Sequence, residues 1–117
     1  MTPASHLNFN PLKHPCPCCG FLVFREPLGS YDICDVCGWE DDEVQQRWPG
    51  LHGGANAESL CDAQARFLAR VSAETDLAGG ARRHSSWRPL RPEECVDAAA
   101  DPDRQPHTYY WDCESSV

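Results

Sequence analysis

Apolar residues in this chain come in short groups rather than long runs. Phe21-Leu22-Val23-Phe24-Arg25 is apolar and β-prone and predicts a strand. Pro27-Leu28-Gly29-Ser30 carries turn residues. Tyr31-Asp32-Ile33-Cys34 then alternates, placing Tyr31 and Ile33 on one face, and predicts the return strand of a hairpin. Acidic residues at 40–43 suit the first turn of a short helix, where the positive end of the dipole favours carboxylates. Val44 and Trp48 lie one helical turn apart and are expected to pack on the hairpin, with Pro49-Gly50 stopping the helix. Residues 52–57 read as a loop. Ser59 and Asp62 have the form of a capping box, opening a helix expected to reach about Ala73. Its stripe of Leu60, Ala63, Phe67, Leu68 and Val71 falls at helical spacing and should cover the hairpin. Gly79-Gly80 closes this ordered stretch. Prolines at 89, 92, 102 and 106 exclude a long helix beyond it. The segment there is expected to be extended and to wrap the domain or be partly disordered, with Thr108-Tyr109-Tyr110-Trp111 docking in cis as an edge strand in preference to forming an aromatic patch for a partner.

Composition changes this picture in one respect. Leu, Ile, Val and Phe make up only 20 of 117 residues, and the net charge is −8. That balance is usual for a disordered chain, yet four Trp, three Tyr and eight Cys are not. Something other than an aliphatic core must hold the fold. No apolar run approaches 18 residues, so no membrane span is predicted. Residues 1–15 lack the basic and apolar regions of a secretory signal, and a cytoplasmic location is expected. Strong acidity argues against non-specific nucleic-acid binding, which needs a basic face.

The cysteines supply the missing element. Cys16-Pro17-Cys18-Cys19-Gly20 and Cys34-Asp35-Val36-Cys37-Gly38 are both C-x-x-C-G, and fourteen residues separate Cys19 from Cys34. In such a turn two thiolates point inward from one tight loop, and the following glycine lets the chain leave with a positive φ. Two facing turns make a four-sulfur cage for zinc, or alternatively for a single iron. Cys16, Cys19, Cys34 and Cys37 are the expected ligands. The alternatives are two disulfides, or a cage that takes Cys18 in place of Cys16 or Cys19. Otherwise Cys18 points away as a small buried side chain or a supporting thiol. Cys61, Cys95 and Cys113 carry no pairing motif, and one of them beside His84 or His107 is a poor signal for a thiol nucleophile.

Charge is uneven. Seven acids and no base lie between Glu26 and Glu43, and a four-thiolate zinc site adds a formal −2 nearby. Glu40, Asp41, Asp42 and Glu43 are candidates for contact with a basic partner. With His52 they could form a second metal site, but consecutive helical acids point different ways, so a solvated helix start or carboxylates tied to local backbone is the simpler reading. Arg82, Arg83, Arg88 and Arg91 are expected to face the acidic ribbon of the same molecule.

These residues carry a resemblance. The first motif, residues 31–42 including Cys34-Asp35-Val36-Cys37-Gly38-Trp39, then Gly53-Gly54-Ala55-Asn56, Ser59-Leu60 and Ala65-Arg66-Phe67, resemble the CPCC family of small cysteine-rich bacterial proteins. Residues 88–94 resemble a basic–proline–acidic segment that closes such domains, and the likeness spans roughly 14 to 95. Gly38 stands where the family often has an aromatic and Asp35 where proline is common; Gly38 makes this turn more rubredoxin-like. The resemblance implies a bacterial metal-binding domain.

The expected fold is a small α+β metal-stabilised domain: a zinc-ribbon or rubredoxin-like hairpin, one or two helices and an extended tail. The expected organisation is an extension at 1–13, the metal domain at 14–80 and the Pro-containing segment at 81–117. The expected function is a structural zinc protein acting as an acidic interaction module, such as an immunity or antitoxin protein against a basic toxin. The alternatives are rubredoxin-like electron transfer and, more remotely, a metal-dependent hydrolase. A closed four-cysteine site offers no open position for catalysis, so the balance is against an enzyme.

Overall fold

The computed structural model describes residues 14–104 and 108–112. Expectations for residues 1–13, His107 and Cys113 lie outside them. The protein is a small α+β unit with two small antiparallel hairpins. Strand β1 (His14–Pro15) pairs with β2 (Leu22–Phe24), and β3 (Leu77–Ala78) pairs with β4 (Ala81–Arg82). Helix α1 covers Glu43–Arg47, helix α2 covers Leu60–Leu68, and a 3-10 turn covers Pro92–Glu94.

The hairpin predicted between residues 21–25 and 31–34 does not form. The first strand instead returns on residues just before the first C-x-x-C turn, with His14 opposite Phe24. Residues 29–31 spend their N–H groups on Asp41: Gly29 and Ser30 donate to its carboxylate at 3.0 Å each, and Tyr31 donates to its carbonyl. With Asp41 N on Asp32 O and Cys34 N on Trp39 O, residues 31–34 are committed to residues 39–41 and not to residues 21–25. Tyr31 adopts φ 61°, and it and Ile33 are 47% and 63% exposed. What survives of the return strand is a single bridge between Ile33 and Glu40.

Helix α1 starts later than the acidic run and shows the opposite face. Asp42 caps it, accepting from Val44 N and Gln45 N. Val44 is exposed, whereas Gln45 and Gln46 are buried. The physical reason is the loop that follows. Gln45 Nε2 donates to the carbonyls of Leu51, Asn56 and Glu58, and its Oε1 accepts from Asn56 N and Nδ2. One buried amide thereby satisfies backbone groups from three points of a Gly-rich loop.

Helix α2 begins as predicted, with Ser59 Oγ accepting from Asp62 N at 3.1 Å. Leu60, Ala63 and Phe67 are buried. It ends at Leu68, with Ala69 as its cap, rather than about Ala73, because Ser72 Oγ takes the N–H of Glu74 and Arg83 Nη1 takes the carbonyls of Ser72 and Thr75.

The core is made of cysteines and aromatic rings. Cys16, Cys18, Cys19, Phe21, Phe24, Cys34 and Trp39 come from the cysteine turns, and Leu60 and Phe67 from α2. Trp87, Tyr110 and Trp111 complete it from beyond Gly80. Residues 108–111 dock on the molecule, but lead into a 3-10 turn at 110–112 rather than an edge strand. Tyr110 OH hydrogen-bonds Gln64 Nε2 and the Arg88 carbonyl, and Trp111 packs edge-on against Tyr110. A disulfide joins Cys61 on α2 to Cys95, 34 residues on. No sequence motif marks that pair. Closing a loop of this length contributes about 4 kcal/mol in the chain-entropy picture.

Candidate metal centre

Each C-x-x-C-G segment builds the same backbone turn. In the first, Gly20 N donates to Cys16 O at 2.7 Å and Cys16 N donates to Phe21 O at 3.0 Å. In the second, Gly38 N donates to Cys34 O and Cys34 N to Trp39 O, both at 2.8 Å. The two glycines hold φ of 81° and 86°, a region that side chains with a Cβ disfavour. The shared spacing therefore produces a shared geometry, and it aims two sulfurs from each turn at a common point.

The sulfur positions fit a single ion. The Sγ atoms of Cys16, Cys19, Cys34 and Cys37 all lie within 4.8 Å of one another. Across the turns, Cys16 approaches Cys37 and Cys19 approaches Cys34 at 3.6 Å. A regular tetrahedron with Zn–S bonds of about 2.3 Å has edges of about 3.8 Å. The four are free thiols, and 3.6 Å is far beyond a disulfide bond. Val36 N and Cys37 N each point at Cys34 Sγ at 3.4 Å, donors of the kind that offset thiolate charge. Soft sulfur donors in this arrangement suit zinc or iron.

Without a cation the cluster cannot ionise evenly. Burial pushes the Cys16 thiol well above its ordinary range. Cys37 is held well below it by hydrogen bonds from Cys16 first, and then from the other thiols. Hydrogen bonds from Cys16 and Cys19 lower Cys34 as well, so protons stay with the first turn and thiolate character falls on the second; a divalent ion would replace those protons. Cys18 stays inside, 1% exposed, and a hydrogen bond to Cys37, together with burial, raises its pKa. Its carbonyl accepts from Gln64 Nε2 at 3.0 Å. It is a buried supporting thiol beside the cluster, outside the four that converge.

Arg83 braces the first turn from behind. Its Nε donates to Cys19 O at 2.8 Å, and its guanidinium lies 4.3 Å from the Phe21 ring centroid and 4.5 Å from that of Trp87. His84 N donates to Gly20 O, and Trp87 Nε1 to Pro17 O. Sequence reasoning sent this arginine to the acidic ribbon. The structure gives it carbonyl acceptors and aromatic faces instead, and Arg88 pairs with Glu94 at 2.8 Å. The available signal was Trp87, a lone large aromatic in a polar stretch.

The acidic residues 40–43 do not converge on an ion. Asp41 is fully buried; besides Gly29 N and Ser30 N it accepts from Ser30 Oγ at 2.9 Å. Burial pushes its carboxyl up from the ordinary range, and these bonds offset part of the shift. Asp42 is 5% exposed and accepts from Ala55 N as well as from α1. Glu40 and Glu43 are half-buried, so only part of the expected acidic face reaches solvent. His52 pairs with Asp62, 2.9 Å away and apart from these acids. Among the described residues, the four cysteines are the group whose donor atoms come within reach of one ion. No helix there is long and apolar enough to cross a membrane.

Comparison with known families matches the model described as Cysteine-rich CPCC to residues 14–86 of this chain. Comparison with curated proteins gives no match.

Proposed function

The chain belongs to the cysteine-rich CPCC family, and from that premise we propose that it is a structural zinc protein whose outer surface serves as an interaction module. Cys16, Cys19, Cys34 and Cys37 hold the ion between two rubredoxin-like turns. The observation that carries this reading is the convergence of four sulfurs within 4.8 Å, with the two cross-turn separations of 3.6 Å close to a tetrahedral edge. A set of four cysteines fills the coordination sphere, so the ion's contribution is to folding rather than to substrate activation. The core supports the same reading, because it has few aliphatic residues and many rings gathered around the sulfurs.

The interaction role rests on charge. The chain carries −8, and Glu26, Asp32 and Asp35 are exposed around exposed Tyr31 and Ile33. Such a surface steers a basic partner by long-range attraction and offers apolar contact on arrival. An immunity or antitoxin protein facing a basic toxin has this character. Elemental analysis of native protein tests the metal: one zinc per chain is expected, and a metal-free folded protein would overturn the assignment. Deletion of the gene tests the partner, and cells no more sensitive to a toxin encoded beside it would remove the immunity role.

Cys37 supports a second reading. It is less buried than the other three ligand cysteines, so the cage has one edge near solvent, as electron transfer through a four-sulfur iron site requires. Red protein with reversible one-electron reduction would establish that role in place of zinc.

A further inference from the structure

The Cys61–Cys95 disulfide lies apart from the metal centre and has no part in the function proposed above. Three observations single it out. Cys95 is exposed and Cys61 half-buried, so a thiol reaches the bond from the Cys95 side. Cys61 is the second residue of α2, a nine-residue helix whose N-terminal dipole favours a departing thiolate. The strap that the bond anchors stands off α2 beyond residue 90, where Arg91, Pro92, Glu93 and Cys95 are exposed. Between it and α2 runs a groove of about 260 Å³ bordered by Ala65, Leu68, Leu90 and Pro92. Tyr110 OH ties the Arg88 carbonyl at the start of the strap, and beyond it Leu90 N donates to Gln64 Oε1 at 2.7 Å and Gly50 N to Val96 O at 2.8 Å.

We propose that Cys61–Cys95 is a thiol-exchange site, and that a small cellular thiol of the glutathione class opens it and releases the 88–96 strap from α2. The incoming thiolate forms a bond to Cys95 Sγ, the Cys95–Cys61 bond breaks, and the electron pair leaves on Cys61 Sγ. A second thiol attacks the mixed disulfide, forming the oxidised small-molecule disulfide and freeing Cys95. The protein pair gains two electrons and two small thiols lose them. Gln64 links the strap to the rest of the fold. It lies one helical turn after Cys61, and its amide holds Leu90 N on one side and the Cys18 carbonyl and Tyr110 OH on the other. Opening the bond therefore loosens the wall of the groove beyond Leu90, while Arg88 stays tied to Tyr110 OH and Trp87 and the cage stay in place.

The test uses the full chain, oxidised, with millimolar glutathione as the probe. Mass spectrometry after rapid alkylation locates the mixed disulfide, and amide hydrogen exchange reads the strap. The expected result is glutathione on Cys95, with exchange at Leu90 and Gly50 at least tenfold faster while Gly20 and Gly38 are unchanged. A C61S/C95S double variant is expected to show the same exchange pattern without glutathione. A mixed disulfide on Cys61 would overturn the proposal, as would a bond that resists glutathione in the folded protein. Equal acceleration at all four amides would make the bond a plain staple of the fold, and no acceleration would show that the strap does not depend on it. Gly20 and Gly38 report on the turns themselves, so loss of the cage is read separately from opening of the strap.

Discussion

The two C-x-x-C-G turns share spacing, backbone hydrogen bonds and a positive-φ glycine, yet they live in different surroundings. The first is enclosed. Cys16 and Cys19 are fully buried, Arg83 and Gln64 hold its carbonyls, and the Trp87 ring lies over Gly20. The second lies open on one side, with Asp35 and Gly38 exposed and Cys37 half-buried. A Cβ on Gly20 would meet the Trp87 ring at 2.4 Å, whereas one on Gly38 would meet nothing within 4 Å. A motif thus sets the local shape of a turn, and the tertiary context sets how much the molecule depends on it.

The largest effect that can sharpen this comparison is loss of the ion itself. Chelation at neutral pH is expected to unfold the chain, because structural zinc contributes on the order of 10 kcal/mol to such sites. Circular dichroism with parallel metal analysis would check it. Among single ligands, Cys19→Ser and Cys34→Ser should abolish binding and folding. Cys37→Ser should retain weakened metal, because water can enter at the open edge. Equal loss in all three variants would erase the asymmetry.

Next in size are the glycines. Gly20→Ala adds a steric clash with Trp87 to the cost of a left-handed backbone and should destabilise by at least about 3 kcal/mol. Gly38→Ala carries the backbone cost alone, about 1 kcal/mol. Urea midpoints of the two metal-loaded variants would decide. Gln45→Ala, away from both turns, leaves loop carbonyls and the Asn56 amide without their partner. A loss of about 1–3 kcal/mol is expected. It should leave metal stoichiometry unchanged if the loop and the cage are separable.

The smallest effect concerns pH. Burial raises the Asp41 carboxyl above its unfolded value, so the folded state binds its proton more tightly. That contribution to stability is fully present below the unfolded pKa and is lost as pH rises through the folded one. Asp41→Asn keeps the uncharged form at all pH. Thermal melting from pH 4 to 7 should therefore decline less steeply in the variant than in the parent protein. A steeper decline would mean that the bonds from Gly29 and Ser30 outweigh the burial.

Much of the centre was legible in the chain. Cys16, Cys19, Cys34 and Cys37, the glycines behind them and the Ser59 cap are local devices, and a local device leaves its pattern within a few residues of sequence. The α2 core stripe was legible for the same reason, except that Val71 falls past the helix end. The hairpin and the apolar face of α1 were misread because propensity treats each segment alone. Tyr31 and Ile33 look like a strand until Asp41 claims the N–H groups around them, and Gln45 looks exposed until its loop folds back on it.

The sequence by itself determined the turns and the four ligand candidates, because the hydrogen bonds of a C-x-x-C-G turn are completed by neighbours in the chain. Only the tertiary structure decided the rest. Arg83 behind Cys19, Trp87 over Gly20, the inward Asp41 and the Cys61–Cys95 bond each join residues at least eleven positions apart. Such pairings depend on which buried donor meets which acceptor once the chain has closed. No periodicity in one segment encodes that meeting, since its energy belongs to both partners together.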